Sequence, residues 1–150
     1  MKKARLILAV SLLTVGTFAA VTFSSCSKDD VCPVGYTGKD CKTLVRDGFL
    51  GTWKGTDICT SGSYNVTLSV NPSSSSEINA LINNVAGFGN NVTITGTVTG
   101  DNTLQFTNQD VGGSRTLSGT MTFSGTSMSF SYKVQGINDA DDCNGSYNKL

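Results

Sequence analysis

The residues of this chain whose chemistry follows most directly from type and spacing are its five cysteines. No two of them form a C-x-x-C pair and the chain has no histidine, so the sequence does not favour a zinc site. Histidine is also the commonest general base, and its absence disfavours a catalytic triad built on any of the many serines. A Ser–Lys pair would need Lys54 or Lys133, and neither lies in a recognisable catalytic pattern. The sequence therefore predicts a protein that is not an enzyme and has no cofactor.

The densest group of carboxylates lies directly before Cys143, in the segment 138–142. Calcium prefers oxygen ligands, so this segment offers a calcium candidate made of Asp139, Asp141 and Asp142. The segment lacks the glycine and the distant glutamate of an EF-hand loop. The alternative, which we favour, is a turn whose acidic side chains are solvated and keep the surface soluble.

Charge and length limit the classes of function. The 150 residues are enough for one domain with an appendage. Lysine and arginine number 11, aspartate and glutamate also 11, so no basic excess indicates a nucleic-acid partner.

The amino terminus has the layout of an export signal. A basic segment, Met1–Arg5, precedes a nearly uncharged apolar run, Leu6–Phe23, and two serines follow that run. The alternative is a retained transmembrane helix, but serine, threonine and glycine within the run weaken it as a span. Residues 1–25 are therefore predicted to be a signal peptide.

The sequence Phe23-Ser24-Ser25-Cys26 resembles a lipobox, the cleavage and acylation site of bacterial lipoproteins. This resemblance implies that Cys26 carries the lipid and that a membrane lipid is a partner. The following Cys-Ser-Lys-Asp-Asp resembles the signal that sends lipoproteins of Bacteroidota to the outer face of the outer membrane. The alternatives are a purely solvating tether over residues 26–31 and an anchor on the periplasmic side.

After Cys26, four cysteines remain, and an even number in an exported chain indicates disulfides with three possible pairings. Residues 32–41 resemble the last loop of an EGF-like module, C-x-x-G-Y-x-G-x-x-C, with Gly35, Tyr36 and Gly38 at the pattern positions. The resemblance implies a Cys32–Cys41 disulfide in a short EGF-like stub, and with it a second disulfide between the remaining two, Cys59 and Cys143.

The elements that must position these residues follow from an alternation of apolar and polar residues in the segment 46–150. Apolar residues of one parity recur in several runs, among them Phe49-Gly51-Trp53, Tyr64-Val66-Leu68-Val70, Val92-Ile94-Val98 and Met128-Phe130-Tyr132-Val134. Glycine-rich turn signals separate about eight such runs, which predicts an all-β domain of antiparallel strands. A small closed or partly open barrel would hide the strand edges, and a two-sheet sandwich is the alternative.

One segment, 77–85, fits two kinds of element. Ile78, Ala80 and Ile82 share a strand parity, whereas Ser74 and Glu77 have the spacing of a helix capping box. We favour the strand because the neighbouring segments all alternate with period two.

Gly51-Thr52-Trp53 resembles the G-x-W pattern that opens lipocalin-like barrels, in which the tryptophan plugs one end. That resemblance implies a late basic residue packed over Trp53, for which Arg115 and Lys133 are the candidates. The whole layout resembles uncharacterised surface lipoproteins of Bacteroidota with an EGF-like stub and a lipocalin-like small barrel. Large residues expected to point inward indicate a filled interior; they are Phe106, Phe123, Phe130 and Tyr132.

Two functional hypotheses follow. The first is a non-enzymatic cell-surface binding module that uses its loops or a shallow apolar mouth to contact a protein or glycan partner. The second is an accessory lipoprotein that docks on a larger outer-membrane assembly.

Overall fold

The computed structural model describes residues 31–150, where eight antiparallel strands close into a barrel and two short strands form a separate small sheet. The predicted signal peptide, the lipid-attachment residue Cys26 and all but the last residue of the predicted tether lie outside the described residues. Within residues 31–150, no helix has the length and apolar character needed to span a membrane.

The elements follow one another with short connections. The small sheet and the helical turn that leads into the barrel are β1 (Tyr36–Thr37), β2 (Thr43–Leu44) and α1 (Arg46–Phe49). The barrel strands are β3 (Gly51–Cys59), β4 (Gly62–Pro72), β5 (Asn79–Asn83), β6 (Thr93–Val98), β7 (Thr103–Gly112), β8 (Arg115–Ser124), β9 (Ser127–Gln135) and β10 (Ala140–Lys149).

Each barrel strand pairs with its neighbour in sequence, and β10 returns to pair with β3. This last pairing closes the barrel and leaves neither strand with an open edge, which removes the usual route to edge-to-edge aggregation. Its register sets Cys143 opposite Cys59 near one end of the barrel and Lys149 opposite Trp53 near the other. The all-β prediction and the closed barrel are confirmed, and the sandwich alternative is wrong.

The predicted alternation sets the inside and the outside of the wall. In β9 the even-numbered residues Met128, Phe130, Tyr132 and Val134 are buried while the odd-numbered ones are exposed. Phe130 packs between Phe106 and Tyr132, with ring centroids 5.4 Å and 4.2 Å away. The interior is therefore filled by aromatic and aliphatic side chains, as predicted.

Two local predictions are corrected by the ends of the strands. Phe49 does not begin a strand: it ends α1, and β3 begins at Gly51. Phe123 has the inward parity but lies only partly buried at the barrel end, where its ring meets Phe49 edge-on at 4.8 Å. Both rings pack together because α1 folds across that end of the barrel.

The ambiguous segment 77–85 contains a strand. β5 buries Ala80 and Ile82 between β4 and β6, so the strand interpretation is confirmed and the capping-box helix is wrong. The chain then leaves the strand at Asn84 and enters a 3₁₀ turn, Val85–Gly87.

Candidate functional site

The two ends of the barrel are built differently. At the end where β3 begins and β10 ends, here called the sealed end, Trp53 is fully buried and donates its indole N–H to the Phe49 carbonyl at 2.7 Å. Lys149 places its ammonium 5.4 Å from the centre of the Trp53 ring, a cation–π distance. Here α1 and the tryptophan together close the barrel.

Lys149 occupies the place for which Arg115 and Lys133 were the candidates, so that prediction is wrong. Those two side chains lie towards the other end, where Arg115 pairs with Asp139 at 3.5 Å and Lys133 pairs with Asp142 at 3.9 Å. The reason is the pairing of β10 with β3, here called the closing seam. It sets Lys149, the last residue of β10, beside Trp53 of β3, and no residue of β8 or β9 takes that position.

The disulfide loop 32–41 is docked on the sealed end. The predicted Cys32–Cys41 disulfide is confirmed. The Tyr36 hydroxyl donates to Glu77 at 2.5 Å, and Gly35, at φ +94°, approaches Ile78 so closely that a Cβ would lie 2.2 Å from its side chain. Glycine is required at this contact for both its conformation and its size. The amino-terminal loop therefore approaches the barrel from its sealed end.

At the opposite end, here called the open end, the loops surround a cavity of about 550 Å³. The disulfide between Cys59 and Cys143, also as predicted, forms part of its wall. The other lining residues include three aromatic and three charged side chains: Tyr64, Phe88, Tyr132, Arg115, Asp139 and Asp141. This open-end cavity lies above a filled interior, so it is a surface-connected pocket and not a channel through the barrel.

The loop that carries Phe88 is held in one conformation by Asn84. The Asn84 amide donates to the Thr67 carbonyl, and its oxygen accepts from the Gly89 N–H, both at 2.8 Å. Asn84 and Ala86 adopt the left-handed region, at φ +54° and +51°, which is costly for a residue with a side chain such as Ala86. Burial of Val85 in the core and the two amide contacts offset that cost.

Asp141 fixes the loop between β3 and β4. Its carboxylate accepts from the Thr60 hydroxyl at 2.5 Å, from the Ser61 N–H at 3.0 Å and from the Ser61 hydroxyl. These hydrogen bonds, chiefly those from the Ser61 and Thr60 hydroxyls, hold the pKa of Asp141 below its usual range. The Ser61 hydroxyl also lies 3.0 Å from that of Tyr64, so this group of hydrogen bonds includes Tyr64, an aromatic residue in the wall of the cavity.

Asp57 lies beneath the cavity wall and is the one fully buried charged residue among those the structure describes. Its two carboxyl oxygens accept from the hydroxyls of Tyr132 at 2.7 Å and Tyr147 at 2.6 Å. Burial, reinforced by the hydrogen bond to Asp57, raises the pKa of each tyrosine well above the ordinary value of a phenol. Both hydroxyls therefore stay protonated and donate to Asp57. A Cβ on Gly145 would lie 2.1 Å from Asp57 Oδ1, so glycine makes room for the carboxyl group.

The three acids proposed for calcium do not converge. Asp139 pairs with Arg115, Asp142 with Lys133, and Asp141 with the Thr60–Ser61 loop. Asp141 does lie near both Cys59 and Cys143, with the ligand atoms within 4.8 Å of one another. Those two sulfur atoms are bonded to each other, so they are not available as thiolate ligands. Among the described residues these three carboxylates share no common partner, and the calcium candidate stays a prediction.

The structure thus brings the second disulfide and two of the clustered acids, which are separate features of the sequence, to one end of the barrel. It adds Asp57, Tyr64 and Phe88, which were not among the predicted site residues. What the arrangement offers is aromatic surface, a polar rim and loops held in place. No protein-family model matches this chain, and no curated protein is significantly similar to it.

Proposed function

We propose that this protein is a non-enzymatic, lipid-anchored cell-surface binding module whose ligand site is the open-end cavity. The observation that supports this most directly is the difference between the two ends of the barrel. One end is closed by Trp53 and α1 and receives the amino-terminal loop, whereas the other presents the cavity.

The tether sets where each end lies relative to a bilayer. If Cys26 is acylated, residues 26–31 reach at most about 22 Å, at roughly 3.3–3.6 Å per residue. The loop that follows this tether contacts Glu77 and Ile78 at the sealed end. A short tether to that end directs the open end away from the membrane, where a ligand outside the cell would reach it.

Binding without catalysis is supported by how the ionisable groups around the cavity are used. Asp141 is occupied by the Thr60–Ser61 loop, and Arg115 lies beside Asp139. The Tyr132 hydroxyl donates a hydrogen bond to the buried Asp57. A general base must have a free lone pair aimed at a substrate proton, and a nucleophile needs such a base beside it. Asp141 and Tyr132 instead stabilise the walls, and the Arg115 guanidinium has no lone pair with which to accept a proton.

An accessory role on a larger outer-membrane assembly is the second candidate, favoured by two exposed isoleucines near the open end. Ile58 is 67% exposed near the end of β3, and Ile137 is 80% exposed in the loop between β9 and β10. A partner that covered these side chains would gain the free energy of burying apolar surface.

The lipid anchor is tested by replacing Cys26 with alanine. We expect the Cys26→Ala protein to move from the membrane fraction to the soluble fraction, because the acyl chains contribute about 0.8 kcal/mol for each CH2 they bury. Ser27→Ala is the matched control and should remain with the membrane. Fractionation followed by immunoblotting reads out both variants. Membrane retention of Cys26→Ala equal to that of the unmodified chain would contradict the anchor.

A further inference from the structure

We propose that the ligand of the open-end cavity is an uncharged sugar ring, such as the terminal residue of a neutral glycan. This inference rests on the proposed function, since it takes the open-end cavity as the binding site. It adds the chemical class of the ligand, which follows from the floor, the walls and the rim of the cavity.

The floor excludes a long apolar ligand. Phe130, Tyr132 and Tyr147 fill the barrel directly below, with Phe130 4.2 Å from the Tyr132 ring and 6.4 Å from the Tyr147 ring. The Asp57 carboxyl group lies among them. An acyl chain needs a deep, dry and apolar channel, and here it would have to displace packed rings around a buried polar group. The site is shallow enough to favour a compact ring.

The walls supply the surface that a sugar ring packs on. Tyr64 and Phe88 contribute to the walls of the lining while Tyr132 belongs to its floor, and Tyr64 is 47% exposed. An aromatic face carries partial negative charge, and the axial C–H groups of a pyranose carry partial positive charge, so the two attract each other. The cavity volume of about 550 Å³ lies within the range of small-molecule sites and is sufficient for one or two sugar rings.

The rim supplies polar groups without a strong net charge. Arg115 and Asp139 lie 3.5 Å apart and are both about half exposed or more, so each keeps hydrogen-bonding capacity that faces solvent. An anion would meet Asp139 and Asp141, and a cation would meet Arg115. A neutral ligand that carries several hydroxyls both accepts from the guanidinium and donates to a carboxylate. The rim therefore favours a polyol over an ion.

The walls are held in place before a ligand arrives. Asn84 fixes the loop that carries Phe88 through its contacts with Thr67 and Gly89. Asp141 and Ser61 fix Tyr64 through the hydroxyl contact at 3.0 Å. Binding to such a site loses little side-chain or loop entropy, which raises affinity for a weakly interacting ligand such as a sugar.

The test is binding of the full chain, purified in detergent, to an array of neutral, sialylated and sulfated oligosaccharides. We expect binding to neutral glycans, competed by the free sugar, that is weakened about tenfold in both Tyr64→Ala and Phe88→Ala, as loss of an aromatic contact predicts. Tyr36→Ala, which removes a tyrosine at the sealed end, is the control and should bind as the unmodified chain does. Thermal unfolding of each variant shows that the barrel is intact.

Two further outcomes separate this inference from the proposed function. The neutral dye N-phenyl-1-naphthylamine provides a second probe of the same cavity. If the dye binds and is lost in Tyr64→Ala while no neutral glycan binds, the sugar assignment is overturned and the open-end site stands. If glycans bind equally well to Tyr64→Ala and Phe88→Ala, the sugar site lies elsewhere on the protein. If neither glycans nor dye bind, both the sugar assignment and the open-end site are contradicted.

Discussion

Replacing Trp53 by alanine is expected to lower the free energy of unfolding by about 3–5 kcal/mol, the usual cost of deleting a fully buried large aromatic side chain. Trp53 is 0% exposed, and its indole N–H satisfies the Phe49 carbonyl of α1. Its loss would leave a cavity and an unpartnered carbonyl at the sealed end at the same time. Urea unfolding followed by circular dichroism measures the change.

Two variants separate the parts of this effect. Lys149→Ala removes only the exposed cation–π contact and should cost no more than about 1 kcal/mol. Trp53→Phe keeps most of the apolar volume but loses the hydrogen bond to Phe49, so its cost should lie between the other two. A loss below about 1 kcal/mol for Trp53→Ala would show that the ring does not plug the barrel.

The second large effect is expected at the closing seam. The double variant Cys59→Ala/Cys143→Ala should lose about 4 kcal/mol of stability, because it frees a long loop in the unfolded chain. The disulfide joins residues 84 positions apart, on the two strands whose pairing closes the barrel. Urea unfolding of the double variant beside the unmodified chain gives the difference.

Cys32→Ala/Cys41→Ala is the matched control for the seam. That disulfide joins residues only 9 positions apart and lies outside the barrel strands, so its removal should release the loop while the barrel unfolds at nearly the same urea concentration. Equal effects of the two double variants on barrel unfolding would contradict the assignment of the Cys59–Cys143 bond to the closing seam.

Much of the fold was predictable because a strand exposes its residues with period two. The inward parity of β9, from Met128 to Val134, was evident from the sequence and is confirmed. That of β4 is confirmed from Val66 to Val70, but Tyr64, the first residue of the predicted run, is 47% exposed at the open end. The Cys59–Cys143 bond provided a further constraint, since it requires the first and last strands to be adjacent. Local periodicity and the pairing of distant cysteines can both be recognised in the sequence without knowledge of tertiary packing.

What escaped prediction depends on contacts between distant segments. Asp57 shares its parity with Trp53, and this inward position was a signal, but the two tyrosines that bind it belong to β9 and β10. Lys149 meets Trp53 only because β10 pairs with β3. No pattern of neighbouring residues in the sequence predicts either contact.

The walls of the cavity were hidden for a similar reason. Tyr64 and Phe88 become neighbours of one pocket only once the 84–92 connection folds over β4, which the turn residues of that segment do not encode by themselves. The acidic segment before Cys143 was visible as a cluster in sequence. Asp141 and Asp142 diverge because consecutive residues of a strand point to opposite faces, whereas Asp139 lies in the loop before β10 and lines the cavity together with Asp141.

The central claim is that a lipid-anchored barrel presents its open end outside the cell, and labelling of intact cells tests it most directly. A cysteine at Ile137, exposed at the open end, should react with a bulky membrane-impermeant maleimide on intact cells as completely as it does after lysis. A cysteine at Thr126, in the turn between β8 and β9 at the sealed end, should react less with the same bulky reagent because the bilayer lies close. Labelling of Ile137→Cys only after the outer membrane is permeabilised would contradict the account.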